Sequence, residues 1–143
     1  AGMTVLCHSG NLAVQQLALA ETLMGCVGAC EWLEAEKLLD AVTAVSGSGP
    51  AYFFYLIEAM AKAGEKHGLD KKLAEKLAVE TCYGAGRLAS QKRRSTSPQE
   101  LRASVMSKGG TTEAAVKALE DGGFEKLVKQ AVDAAVKCGR ELG

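Results

Sequence analysis

Residues 50–67 read Pro-Ala-Tyr-Phe-Phe-Tyr-Leu-Ile-Glu-Ala-Met-Ala-Lys-Ala-Gly-Glu-Lys-His, a run that is apolar nearly all the way round a helix. Pro50 has its φ preset and needs no N–H partner in a first turn, so it opens the helix, and Gly68 closes it. A helix without a polar face belongs at the centre of a bundle or inside an extensive subunit interface. Glu58, in the middle of this run, is either a functional carboxylate or a partner in a helix–helix hydrogen bond; the second is the preferred reading.

The remaining segments have the same helical spacing. Over residues 11–25, Leu12, Ala13, Leu17, Leu19, Ala20 and Leu23 predict a mostly buried helix ended by Gly25 or Gly28. Residues 34–45 are helix-like, with Leu38, Leu39, Val42 and Val45 on one side, until glycines break the pattern. Asp70 opens a helix towards Lys92, and Gly84 and Gly86 within it call for a close neighbour. Ser97-Pro98-Gln99-Glu100 is a capping-box start for a short helix that stops near Met106. Residues 113–120 form another, and Gly122-Gly123 precedes an amphipathic helix over 124–142. Only residues 1–10, with their Thr4-Val5-Leu6-Cys7 run, and Glu31-Trp32-Leu33 read as extended, the first as a strand or a lead-in. With 5% aromatic residues and two prolines, the expectation is an all-α chain of about seven helices rather than a sandwich or barrel.

Charge removes whole classes of function. Seventeen basic against 17 acidic residues argue against a general nucleic-acid or anionic-membrane binder. No apolar run is long enough for a bilayer, and the N-terminus lacks a signal-peptide layout. Cys7, Cys26, Cys30, Cys82 and Cys138 are odd in number and scattered. They read as packing residues of a reduced, cytoplasmic protein, and no metal is expected. Cys26 and Cys30 are four apart and on a helix would share a face, but a zinc site needs further ligands and only His8 and His67 are on offer. Lys92-Arg93-Arg94 is read as a solvated loop, with phosphate contact as the alternative.

Two joints are rich in glycine and hydroxyls: Ser46, Gly47, Ser48, Gly49 and Pro50, then Ser107, Lys108, Gly109, Gly110, Thr111 and Thr112. Each precedes a helix, whose first N–H groups and positive dipole end suit a carboxylate or phosphate. The alternative is a tight helix–helix turn. Neither joint is a dinucleotide fingerprint, and there is no phosphate loop or Ser/His/Asp set.

The run from Asp40 to Tyr52, Asp-Ala-Val-Thr-Ala-Val-Ser-Gly-Ser-Gly-Pro-Ala-Tyr, closely resembles pyrroline-5-carboxylate reductase. So do Thr81-Cys82-Tyr83-Gly84-Ala85, the joint 107–112 and the last helices, in order and spacing. The resemblance covers essentially the whole chain but only the C-terminal half of that family. It implies a helical dimerisation domain of the 6-phosphogluconate-dehydrogenase C-terminal-like type over residues 11–143, with residues 1–10 left from the link to an absent Rossmann domain. It implies a homodimer, often assembled further, and reduction of pyrroline-5-carboxylate to L-proline by NADPH or NADH held mainly by that absent domain. The isolated chain is therefore expected to be inactive.

The resemblance also implies residue roles. The substrate carboxylate falls to the amides of Gly109, Gly110, Thr111 and Thr112 with the hydroxyls of Ser107 and Thr112. Thr43 becomes the hydrogen-bond partner of the ring nitrogen, and residues 46–50 lie near substrate or nicotinamide. Nothing resembles a dedicated general acid, so catalysis rests on positioning. Lys108 departs from the proline common there, and Ser95-Thr96-Ser97 lacks an acid that relatives can carry. The alternatives are a helical dimerisation module with no ligand role in isolation, or the helical domain of another β-hydroxyacid-type dehydrogenase. The second is disfavoured because no catalytic lysine is suitably placed.

Overall fold

A computed structural model describes residues 2–8 and 10–142; of the expected N-terminal link, Ala1 and Ser9 lie outside the described residues, as does Gly143 at the far end. The chain forms two compact units, Ala1–Gly49 with Gln130–Gly143, and Pro50–Lys129.

The first unit opens with strand β1 (Gly2–Leu6), helix α1 (Val14–Gly25) and strand β2 (Gly28–Trp32). The strands are parallel, paired from Gly2↔Gly28 to Leu6↔Trp32. Parallel strands need a crossover, and α1 supplies it. Backbones approach so closely at the first pair that a Cβ on Gly28 would collide with Gly2. β2 begins three residues ahead of the expected extended link, because its partner is 26 positions away in the register and leaves no local signal. The helical fold class stands, with this βαβ unit added to it.

Helix α1 corrects the expectation of burial. None of its residues is buried, and Leu23 is 61% exposed. Its neighbours within the unit are the two strands, and two strands cover only one side of a helix. A 3-10 turn (Glu36–Leu38), helix α2 (Leu39–Val42) and a π-helical turn (Thr43–Gly47) follow. The glycines do not break this segment. Ser48 keeps right-handed helical angles, φ −83° and ψ −22°, and its N–H donates to the Thr43 carbonyl at 2.8 Å. The ladder widens by one residue and runs on into α3. The C-terminal part of α7 also belongs to this unit. A Cβ on Gly139 would lie 3.1 Å from Asp40 Oδ1, and Arg140 Nε is 3.8 Å from Asp40 Oδ2.

The second unit holds α3 (Gly49–Lys66), α4 (Lys71–Lys92), α5 (Pro98–Ser104), α6 (Thr111–Asp121) and the start of α7 (Phe124–Leu142). Gly68, at φ +94°, ends α3. The N–H groups of Gly68 and Leu69 donate to the carbonyls of Glu65 and Gly64, and Leu69 closes over Gly64, where a Cβ would meet its Cδ1 at 3.1 Å. Asp70 then caps α4, its Oδ1 accepting from the N–H groups of Lys72 and Leu73 at 3.0 and 3.3 Å. At α5 the expected capping box is complete: Ser97 Oγ accepts from the Glu100 N–H at 3.2 Å, and Glu100 Oε2 from the Ser97 N–H at 2.7 Å.

The core of this unit is small. Ala61, Ala74 and Ala78 are buried with Ile57 packed against them, so α3 and α4 meet through small side chains. The large ones face outward: Phe53, Phe54 and Tyr55 on α3 are 58%, 68% and 74% exposed, and Tyr83 on α4 is exposed too. Of the two placements open to an all-round apolar helix, the centre of a bundle is not realised among the described residues. Gly84 and Gly86 have open space where a Cβ would sit, so the close neighbour expected there is not among the described residues. Glu58 is not a helix–helix partner either. It is exposed and pairs with Lys62 one turn along the same helix, which holds Lys62 above its ordinary pKa.

Candidate functional site

The first joint lies along a continuous helix. Residues 43–47 are the π turn and Gly49 already belongs to α3, so residues 46–50 do not present the set of unpaired N–H groups that a helix start offers. What the π turn does present is Thr43. Its side chain is exposed, its Cγ2 lies 3.5 Å from where a Gly47 Cβ would be, and its hydroxyl has no hydrogen-bond partner among the described residues. A helical threonine commonly bonds back to the carbonyl four residues earlier. Here that back-bond is not made among the described residues.

The second joint is a true helix start. Gly110 is the extended cap of α6, with φ −85° and ψ 167°. Gly109 before it has φ +73°, a region that costs an L side chain roughly 1–2 kcal/mol. The turn is tight enough that a Cβ on Gly110 would collide with Ser107 Oγ. Two of the four amides expected to meet a carboxylate are already used inside the joint. The Gly110 N–H donates to the Ser107 carbonyl at 2.9 Å, and the Gly109 N–H to Glu113 Oε2 at 2.6 Å. The amides of Thr111 and Thr112 remain, with the hydroxyls of Ser107, Thr111 and Thr112, all on exposed residues except the backbone turn at Gly110. Gly109 and Gly110 thus set the turn, and their own N–H groups are engaged within it. Beside it is a hollow of about 430 Å³ bordered by Met106, Glu113, Lys117 and Glu120, where Glu120 accepts from Arg102 of α5 at 3.1 Å.

Glu113 is the residue that the sequence reading missed. The signal was present: Gly110-Thr111-Thr112-Glu113 repeats the cap-to-glutamate spacing of Ser97-Pro98-Gln99-Glu100. A glycine cap has no side chain, which hid the likeness. Glu100 bonds the cap residue itself, and the Ser97 N–H first and then its hydroxyl lower its carboxyl pKa; Glu113 reaches one residue further back, to Gly109.

Other candidates carry less. Cys26 caps α1 while Cys30 lies in β2, so they do not share a helix face; Cys26 and Cys138 are exposed and none of the five is buried. Among the described residues no three His, Cys, Asp or Glu side chains gather to hold a metal ion. Lys92, Arg93 and Arg94 end α4 in an exposed turn, closed by the N–H groups of Ser95 and Thr96 on the Lys92 carbonyl. The turn from β1 to α1 contains no glycine fingerprint, and the Ala13 N–H at its end is taken by Gln16 Oε1 at 2.9 Å. Among the described residues no helix is long and apolar enough to cross a membrane.

Comparison with known proteins now identifies the class of this helical chain. Residues 36–142 match the family model described as pyrroline-5-carboxylate reductase dimerisation. The chain belongs to that family, which sets aside the reading as another β-hydroxyacid-type dehydrogenase. It is 45% identical over 141 residues to pyrroline-5-carboxylate reductase of Pseudomonas aeruginosa, covering 99% of this chain and 51% of that protein. A solved pyrroline-5-carboxylate reductase from Coxiella burnetii superposes with a TM-score of 0.92 at 40% identity, over 97% of this chain and 51% of that one. Plasmodium falciparum pyrroline carboxylate reductase, solved with NADP bound, gives 0.82 at 30% identity, over 98% and 53%. The chain spans about half the length of the curated relatives it matches.

Proposed function

We propose that this chain is the dimerisation and substrate-binding part of a pyrroline-5-carboxylate reductase, an enzyme of proline biosynthesis. The observation that carries the reading is the joint 107–112, where the amides of Thr111 and Thr112 and the hydroxyls of Ser107 and Thr112, without partners among the described residues, surround a turn set by Gly109 and Gly110. One carboxylate matches that donor set. Thr43 serves the ring nitrogen. As the carbon of the protonated imine accepts hydride, the C=N π pair becomes the amine lone pair, and the unengaged Thr43 hydroxyl donates a hydrogen bond to it without a shifted pKa. Residues 46–50 then act through shape, by carrying Thr43 on the π turn, and any nearness to the nicotinamide belongs to the assembled enzyme.

The nicotinamide nucleotide, NADPH or NADH, supplies the hydride when bound, and no residue of this chain is assigned to hold it. We keep the helical dimerisation and substrate-binding part at residues 11–143, of which the family match covers residues 36–142. Residues 1–10 remain assigned to the side of a preceding cofactor domain. The chain alone is then inactive, and turnover of NADPH by it would refute the division. Five unpaired cysteines favour a reducing, cytoplasmic setting.

The homodimer rests on an independent observation. Among the described residues the buried apolar side chains are four alanines, while Phe53, Phe54, Tyr55 and Tyr83 face outward. A chain of this length normally buries roughly two-thirds of its unfolded surface, so an apolar helix left open calls for a second copy. Sedimentation should show a dimer that Phe54→Glu dissociates, and a monomer at every concentration would overturn the assembly. Chemical-shift mapping with L-proline tests the ligand role. Movement at residues 107–112, lost in Ser107→Ala with Thr112→Ala, is expected. A dimer whose joint ignores millimolar L-proline would instead favour a dimerisation module with no ligand role of its own.

A further inference from the structure

We propose that Glu113 is a positioning residue for the carboxylate-binding joint, an assignment that rests on the reading of residues 107–112 above. Glu113 sits in the first turn of α6, and its Oε2 accepts from the Gly109 N–H at 2.6 Å, reaching back past the cap residue Gly110. Gly109 is one of three described glycines with positive φ. Its neighbour Gly110 leaves no room for a Cβ against Ser107. The joint is therefore closed by two links of different kinds. One is the Gly110 N–H on the Ser107 carbonyl at 2.9 Å, which is backbone alone. The other is the glutamate, the only side chain among the described residues bonded into this turn.

Two consequences follow. With Gly109 and Gly110 engaged, an incoming carboxylate is directed one residue further on, to Thr111 and Thr112. And the turn is held before the guest arrives, so less ordering remains to be done on binding. Lys108, unlike a proline, leaves the backbone on that side free to rotate, so this second link matters more.

The test uses the chain itself, with L-proline as probe, amide hydrogen exchange at Gly109 and chemical-shift titration at Thr111 and Thr112. In Glu113→Ala, exchange at Gly109 quickens and L-proline binds roughly tenfold more weakly, a loss of pre-organisation. Glu113→Gln keeps an acceptor oxygen and restores both towards the parent. Circular dichroism should stay unchanged in either variant, which separates positioning from loss of the helix. If Glu113→Ala binds L-proline as the parent does while the parent's Thr111 and Thr112 amides respond, the inference is overturned and the reading of the joint survives. If Glu113→Gln fails to restore what Glu113→Ala loses, the hydrogen bond is not the cause and the inference also falls. If the parent's joint ignores L-proline altogether, the reading of the joint fails and takes the inference with it.

Discussion

The two glycine-rich joints are alike in composition and opposite in backbone. Around residues 46–50 the chain never leaves right-handed helical space; a π turn absorbs the extra residue and α3 begins at once. Around residues 107–112 the chain reverses through Gly109 at φ +73° and enters α6 from an extended cap. Only the second uses its glycines for what glycine alone can do. At Gly47 a Cβ would make an ordinary 3.5 Å contact with Thr43, and at Gly49 it would meet nothing. Glycine content thus marks where a chain is allowed to turn, and contacts decide whether it does.

Substitutions should separate the joints. The largest effect is expected at Gly110→Ala, where the new Cβ meets Ser107; overpacking of this kind costs roughly 1–3 kcal/mol and should abolish the L-proline response. Gly109→Ala has open space but the wrong φ, and should cost roughly 1–2 kcal/mol in urea unfolding. In the first joint, Gly47→Ala should stabilise by roughly 0.5–1 kcal/mol, since it fills a helical position without a clash. A loss there equal to that at Gly110 would erase the contrast. The smallest effect concerns acid. The folded-state pKa of Glu100 is lowered, so its contribution to the α5 start is complete above the unfolded carboxyl value and is lost as pH falls through the lower folded one. Glu100→Gln should remove that acid dependence from the Ser97 amide shift while leaving the joint at 107–112 untouched.

Much of the helical content was legible because it is local. Asp70, Ser97, Pro98 and Gly68 act on neighbours a few residues away, and the structure places a cap or stop at each. Glu58 misled because periodicity says which residues share a face and not what covers that face. With nothing packed over it, the carboxylate took the lysine one turn away. Cys26 and Cys30 would share a face only on one helix, and a helix end falls between them.

By itself the amino-acid sequence determined the helix spans, their caps, the family and the two joints, all of which depend on side chains close together in the chain. Tertiary structure decided three further matters. It paired β1 with β2 across a 26-residue offset, because parallel strands have no local signature. It left the apolar face of α3 open within the single chain, since small alanines do the packing against α4. And it spent the Gly109 amide on Glu113, so the donors left at the joint are those of Thr111 and Thr112, a division that only the fold of the turn could set.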